Sequence, residues 1–402
     1  MKMKYAILIG DGMGDYPIEK LGNQTPLEAA DTPHMDRLAG EGLLGLAGTI
    51  PDGKDPGSDV ANMSIMGYDP LVYHSGRAPL EAASMGIDLS EDEVAFRMNL
   101  VNLEFMSDGR VIMRDHSADN ITTEEGQAII ASLHEAMPLD QGQKIYPGVS
   151  YRHLLVWPGL DQDLPTIAPH DYRDQEVTDY LNQGGNMKTL LDFVRASWPA
   201  LENHPINIER QKKGLLPANS IWPWGQGRPI PMPTYQERWG LTGVAISAVD
   251  LIKGLGKMAG LTPLEVEGAT GLVNTNFEGK VKAALDALKT VDLALVHIEA
   301  PDEAGHQGDL DEKLEAIELF DKKVVGPMLE GLKNFGEFRV LILCDHFTPI
   351  SVMTHTPEPV PFIIYPGPNK KGRAYTEKQA QSTGLYLENG HTLIDLLLGN
   401  AE

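Results

Sequence analysis

Four short runs of the chain are almost wholly apolar: YAILIG (5–10), DLALVHI (292–298), RVLILC (339–344) and PFIIY (361–365). Runs of this length without polar alternation are the pattern of strands covered on both faces, as in a parallel sheet. Elsewhere the period changes. Val281, Leu285 and Leu288 share one helical face, and Leu314, Ile317, Phe320, Val324, Met328 and Leu332 recur at spacings of three and four. Helices are therefore expected over 278–291 and 311–332. Strands alternating with such helices predict an α/β fold, doubly wound around a mostly parallel sheet.

The middle of the chain has a different texture. VAFRMNLVNLEF (94–105) and YRHLLVW (151–157) are more polar strands, helices are expected near 123–136 and 186–196, and prolines mark the joints. This predicts a smaller α+β domain over 89–214, inserted into a discontinuous core of 1–88 and 215–402. WPWGQGRPIPMP (222–233) is dense in proline and glycine and is expected to return to the core as a loop near the site. The chain contains no internal repeat and no low-complexity segment.

Composition narrows the partners. A chain of 402 residues exceeds the usual size of one core, which fits two domains. The formal charge of −24 argues against nucleic acid and against an anionic membrane, both of which select a basic footprint. A small anionic substrate stays open, because a local arginine pocket or a metal inverts the field. Cys344 is the single cysteine, so no intrachain disulfide forms and a reducing compartment fits. The start, MKMKYAILIGDG, lacks the long apolar segment of a signal peptide, and no uncharged apolar stretch approaches 18 residues. A cytoplasmic protein is expected.

The chemistry sits where the apolar runs stop. Asp11 follows ILIG, Asp302 follows LVHIEAP, and Asp345 with His346 follows LILC. In open α/β sheets the ligand crevice lies at the carboxyl ends of the strands. Three carboxylates delivered to one edge repel one another unless a cation lies between them. His306, four residues after Asp302, together with His346 and His355 brings the set to three carboxylates and three imidazoles, enough for two metal ions. Mixed oxygen and nitrogen donors suit Mn²⁺ or Zn²⁺ better than Mg²⁺ or Ca²⁺. Ser58, in DPGSDVANMSIMGYDP, stands before an expected helix at 59–66. It reads either as an N-cap or as a nucleophile activated on a metal, and the residues alone do not choose between them.

The motifs DGMGD, PGSDVANMSIMGYDP, GRAPLEA, PDEAGHQGD, CDH and THTPEPVPF, in this order, resemble the alkaline phosphatase superfamily. They are most similar to the archaeal-type cofactor-independent phosphoglycerate mutases. The resemblance implies an alkaline-phosphatase-like core with a cap domain that shields the site from water. It implies one divalent ion held by Asp302, His306 and His355, and a second held by Asp11, Asp345, His346 and the Ser58 oxygen. Mn²⁺ is the first expectation, with Zn²⁺, Mg²⁺ or Co²⁺ as alternatives and no 2,3-bisphosphoglycerate. It further implies that Ser58 carries the phosphoryl group between the hydroxyls of 3-phosphoglycerate and 2-phosphoglycerate.

A phosphate and a carboxylate select bidentate arginine. The candidates are Arg77, Arg97, Arg114 with Asp115 and His116, Arg152 with His153, and His170 with Asp171. Arg77 is best placed, close after the Ser58 helix, and Arg77, Asp115 and His116 are expected to act beside Ser58. Lys253 and Lys257 are not separable from surface lysines. Two positions depart from the mutase pattern: Asn120 in ADNI, where an arginine is usual, and Trp224 in PWGQG, where an RGAG-like loop is usual. The subgroup also resembles bacterial members proposed as homoserine kinases, but the chain has no nucleotide-binding loop. That activity and a plain phosphatase are the alternative readings.

Overall fold

The computed structural model of the protein describes residues 2–137, 139, 142–368 and 374–400. It divides into two compact units, Met1–His74 with Pro231–Glu402, and Ser75–Ile230. No helix among the described residues is long and apolar enough to cross a membrane.

The first unit is built on an eight-stranded sheet. Its strands lie in the order Thr262–Pro263, Gly243–Ile246, Leu293–Ile298, Lys4–Gly10, Phe338–Leu343, Val360–Tyr365, Leu43–Ala47 and Tyr386–Leu387. The first five are mutually parallel. Val360–Tyr365 runs antiparallel to both its neighbours. Ala6, Ile7, Leu8 and Ile9 are all fully buried. Successive strand side chains point to opposite faces, so both faces of the sheet are covered, as the uninterrupted apolar runs predict.

The segment expected as one helix over 311–332 is three in succession. Leu310–Phe320 and Gly326–Leu332 are α-helical, and a π turn over Asp321–Val325 joins them. In that turn the buried Asp321 carboxylate accepts hydrogen bonds from the backbone N–H groups of His34 (3.1 Å) and Met35 (2.7 Å). It thereby satisfies donors at the start of the Pro33–Glu41 helix, where no side chain of that helix's own N-cap does so.

The second unit centres on the long strand Glu93–Phe105, which pairs antiparallel with Arg152–Pro158, Val111–Asp115 and Ser220–Gly227. Helices Thr123–Ala136 and Lys188–Glu202 close its core over Phe96, Met98, Leu100, Trp157 and Trp222. This unit contains the expected 89–214 and extends it on both sides. Helix Arg77–Ser84 packs on the central strand, and 220–227 pairs with it.

That pairing corrects the expectation of a loop at 222–233, since Ser220–Gly227 is a strand. Pro223 lies level with Met98, and among the described residues this strand has a partner on one side only. A proline's missing donor is tolerated in such an edge strand, and the tryptophans to either side supply the burial.

Candidate metal and phosphoryl-transfer site

Sheet register brings the acidic residues together. Gly10 lies level with Ile298, and Ile9 lies level with Leu343. Asp11 and Asp345 each leave the sheet two residues beyond the matched pair Ile9–Leu343. The next backbone link, from Asp11 N–H to the Ile298 carbonyl at 2.8 Å, carries the register past the strand end. Asp302 arrives from the neighbouring strand as the third residue of helix Ala300–Gln307, with His306 one turn later on the same face. Gly12 has φ +62°, and a side chain there would come within 2.7 Å of the Asp302 backbone. The turn after Asp11 thus packs backbone to backbone on the Asp302 helix.

All seven expected metal-site residues lie in the first unit. Asp11, Asp345 and His346 have ligand atoms within 4.8 Å of one another, and so do Asp302, His346 and His355. His306 Nε2 is 3.2 Å from Asp302 Oδ2 and 2.9 Å from His355 Nε2. Ser58 Oγ is 3.1 Å from His346 Nε2. The N-cap of helix Ser58–Ile65 is Gly57, so Ser58 is the first helical residue and its side chain makes no capping bond. The N-cap reading of Ser58 is therefore corrected: its hydroxyl points at the carboxylate and imidazole cluster.

The electrostatics are those of carboxylates and imidazoles crowded together in a buried site. Burial, followed by the charges of Asp345 and Asp302, holds the Asp11 carboxyl well above the ordinary range. Burial also opposes ionisation of Asp302, yet hydrogen bonds from His306 and His355 hold it well below that range. His306 is correspondingly raised to about 9, chiefly by its bond to Asp302.

Tautomers follow from the outer partners. His306 Nδ1 donates to the Met353 carbonyl at 3.0 Å. His346 Nδ1 lies 3.3 Å from the Thr348 hydroxyl, which itself donates to Asp302 Oδ1 at 2.5 Å. The Thr348 arrangement leaves His346 Nε2 as the inward-facing lone pair, while His306 Nε2 faces Asp302 Oδ2 and His355 Nε2. Two imidazole Nε2 atoms facing each other at 2.9 Å, and a buried Asp11 Oδ1 without a hydrogen-bond partner, are donors arranged for a cation. The residues present fit divalent metal.

Several supporting residues are not singled out by the sequence. Asn62 donates to Asp345 Oδ2 (2.8 Å) and to the Ser58 carbonyl (2.9 Å), tying the serine helix to the ligand. His297, fully buried, has Nε2 3.1 Å from Asp11 Oδ2, and burial pushes it down to about 4. Its signal is visible in retrospect as a histidine inside the apolar run LALVHI. Next to the serine, Asp59 meets His74 Nε2 at 2.8 Å. Lys253 is engaged by Asp250 and Glu265, and Lys257 is exposed.

The remaining candidates lie in the second unit, where several gather. The Arg97 guanidinium lies 4.3 Å from the Trp224 ring centroid, and its Nε pairs with Glu81 at 2.8 Å. His170 meets the same indole at 5.2 Å and His116 at 6.1 Å between ring centroids. Trp224 Nε1 donates to Asn99 Oδ1, and Asn99 Nδ2 donates to the His116 carbonyl. Arg152 stacks on Tyr151, whose ring meets His116 edge-on. After burial, the charges of Arg77 and Arg152 help to lower the Arg97 pKa, which places both within electrostatic reach of it.

Three candidates stand apart from this cluster. Arg114 is exposed and paired with Glu104 and Asp174. His153 is buried and accepts from the Gly148 N–H at 3.0 Å. Asp115 Oδ1 accepts from Ser117 N, Ser117 Oγ and Asp119 N, holding a left-handed turn through Ala118, Asp119 and Asn120. Asn120 thus closes a turn and is exposed.

Known proteins resemble this chain along nearly its whole length. The model of the 2,3-bisphosphoglycerate-independent phosphoglycerate mutase family matches residues 39–207. The chain is 48% identical to the probable enzyme of that name from Geobacter sulfurreducens, over 98% of this chain and 100% of the relative. It is 51% identical to the Methanothrix thermoacetophila enzyme, again over 98% and 100%. The solved cofactor-independent phosphoglycerate mutase of Thermoplasma acidophilum matches with a TM-score of 0.68 and 25% identity, covering 100% of both chains. With half of its residues shared along nearly its whole length, this chain belongs to the 2,3-bisphosphoglycerate-independent phosphoglycerate mutases.

Proposed function

We propose that the protein interconverts 3-phosphoglycerate and 2-phosphoglycerate, with Ser58 as the transient phosphoryl carrier. The observation that carries this reading is the Ser58 hydroxyl at 3.1 Å from His346 Nε2, on the sheet edge where the carboxylates and imidazoles meet. Asp302, His306 and His355 would hold one divalent ion, and Asp11, Asp345, His346 and Ser58 the other. Mn²⁺ is preferred for the mixed oxygen and nitrogen donors, with Zn²⁺, Mg²⁺ or Co²⁺ as alternatives. Bound there, the ions supply charge neutralisation around the phosphoryl group and lower the pKa of the serine hydroxyl.

The chain's own residues do the rest. Ser58 Oγ takes the phosphoryl group from one glycerate oxygen and returns it to the adjacent one, so no proton is gained or lost overall. The N-terminal end of the Ser58 helix favours negative charge at that position. Asn62 and the Gly12 N–H, which donates to Asp345 Oδ1 at 3.1 Å, keep Asp345 oriented. In the second unit, proposed as the substrate-gripping part, the Arg97 fork with His116, His170, Arg77 and Arg152 is the receptor for the substrate's oxyanions. A single cysteine, buried, is consistent with work in the cytoplasm.

The test is incubation with 3-phosphoglycerate and Mn²⁺, coupled to enolase, followed by mass spectrometry of the Ser58 peptide. Product formation with trapped phosphoserine at residue 58 is expected. Absence of 2-phosphoglycerate with every divalent metal, or O-phosphohomoserine from homoserine and a nucleotide instead, would displace this reading.

A further inference from the structure

Lys313 is fully buried, and nothing above gives it a role. It lies on helix Leu310–Phe320, directly after the helix that carries Asp302 and His306. Its ammonium donates to the Gly14 carbonyl (3.2 Å), to Asp15 Oδ2 (2.8 Å) and to the Thr348 carbonyl (2.8 Å). An ammonium has three protons, and all three are used.

The partners come from two turns of the site. Gly14 and Asp15 end the turn that begins at Asp11. Thr348 lies two residues after His346 and bonds Asp302 through its hydroxyl. The two turns are further joined by Thr348 N–H to the Gly14 carbonyl (3.2 Å) and Ile350 N–H to Asp15 Oδ2 (3.1 Å). Gly305, between Asp302 and His306, packs so closely on the Thr348 carbonyl that a Cβ would approach it to 2.5 Å. One cation therefore ties the Asp11 turn to the His346 turn, and Thr348 carries that tie on to the Asp302 helix.

We infer that Lys313 is a positioning residue for the metal pair, fixing the spacing between the Asp11 and His346 turns relative to the Asp302 helix. The alternative, that Lys313 and Asp15 form a replaceable structural ion pair, makes a different prediction, because a buried pair exchanged for apolar side chains is often neutral for stability. An apolar pair restores burial but grips neither carbonyl.

The inference rests on the divalent-metal reading of the site, and the experiment separates the two. Mn²⁺ binding is measured by calorimetry and by electron paramagnetic resonance for the wild type, Lys313→Met, and Lys313→Met combined with Asp15→Leu, alongside thermal unfolding without metal. Two Mn²⁺ per wild-type chain are expected; none would sink the metal reading itself. The double variant is expected to fold at close to wild-type Tm, to bind Mn²⁺ roughly 10-fold to 100-fold more weakly, the range seen when outer partners of ligands are lost, and to show an altered spin–spin coupling between the ions. Unchanged Mn²⁺ affinity and coupling in the folded double variant would overturn the inference. So would failure of both variants to fold, which would make Lys313 a folding residue only.

Discussion

The Ser58 hydroxyl and the Nε2 of His346 lie 3.1 Å apart, although 288 positions separate the two residues in the chain. The contact exists because the helix starting at Ser58 is tied to the strand end at Asp345 through Asn62, so the hydroxyl is aimed by structure on both sides.

Replacing that hydroxyl should remove transfer and little else. Ser58 caps no backbone donor, so Ser58→Ala is expected to cost at most ~1 kcal/mol of stability. The coupled enolase assay should show loss of at least ~1,000-fold in kcat, as when a covalent nucleophile is removed. Retention of more than a tenth of the wild-type rate would reject Ser58 as the carrier.

Arg97 offers a prediction about the grip on the substrate. Glu81 lies 2.8 Å from its Nε and the indole of Trp224 covers its face, holding the planar fork in place for an oxyanion. Lysine keeps the charge and loses both the fork and the stacking surface. Arg97→Lys is therefore expected to raise KM for 3-phosphoglycerate about tenfold or more, the weight of one charge-assisted hydrogen bond, with a smaller change in kcat. Steady-state kinetics decide it, and an unaltered KM would remove Arg97 from the receptor.

Glu377 gives the first unit a pH dependence away from the metal cluster. Burial raises its pKa from 4.5 to about 7, while the Thr25 hydroxyl donates to it at 2.7 Å. For an acid raised in the folded state, the folded protein holds the extra proton between the two values. Stability is then greatest below the unfolded pKa and is lost as pH climbs through about 7. The loss amounts to about 3 kcal/mol at most. Urea unfolding of the metal-free protein at pH 5 and pH 8 should show this decline, and Glu377→Gln should flatten it. Parallel declines in both proteins would place the effect elsewhere.

The sequence by itself determined the element types and the residue types at the strand ends. Uninterrupted apolar runs are strands buried on both faces, and polar groups cannot continue them, so Asp11, Asp302 and Asp345 are legible as the places where chemistry begins. Motif order along the chain likewise identified the family.

Tertiary structure decided what depends on contacts between distant segments. Sheet register set which strand ends meet, and the Asn62 tie to Asp345 turned the Ser58 hydroxyl toward His346. Strand pairing drew Ser220–Gly227, proline included, into the second unit's sheet. Packing separated Arg97, stacked on Trp224, from Arg114, spent on Glu104 and Asp174, although both are arginines on strands. Lys313 is the clearest case: it stands on a helix rich in acidic residues, and nothing in the sequence marks it as buried. Only the fold shows that two turns, at Gly14–Asp15 and at Thr348, close around it, because burial of a charge is a property of the neighbours it acquires and not of the residue.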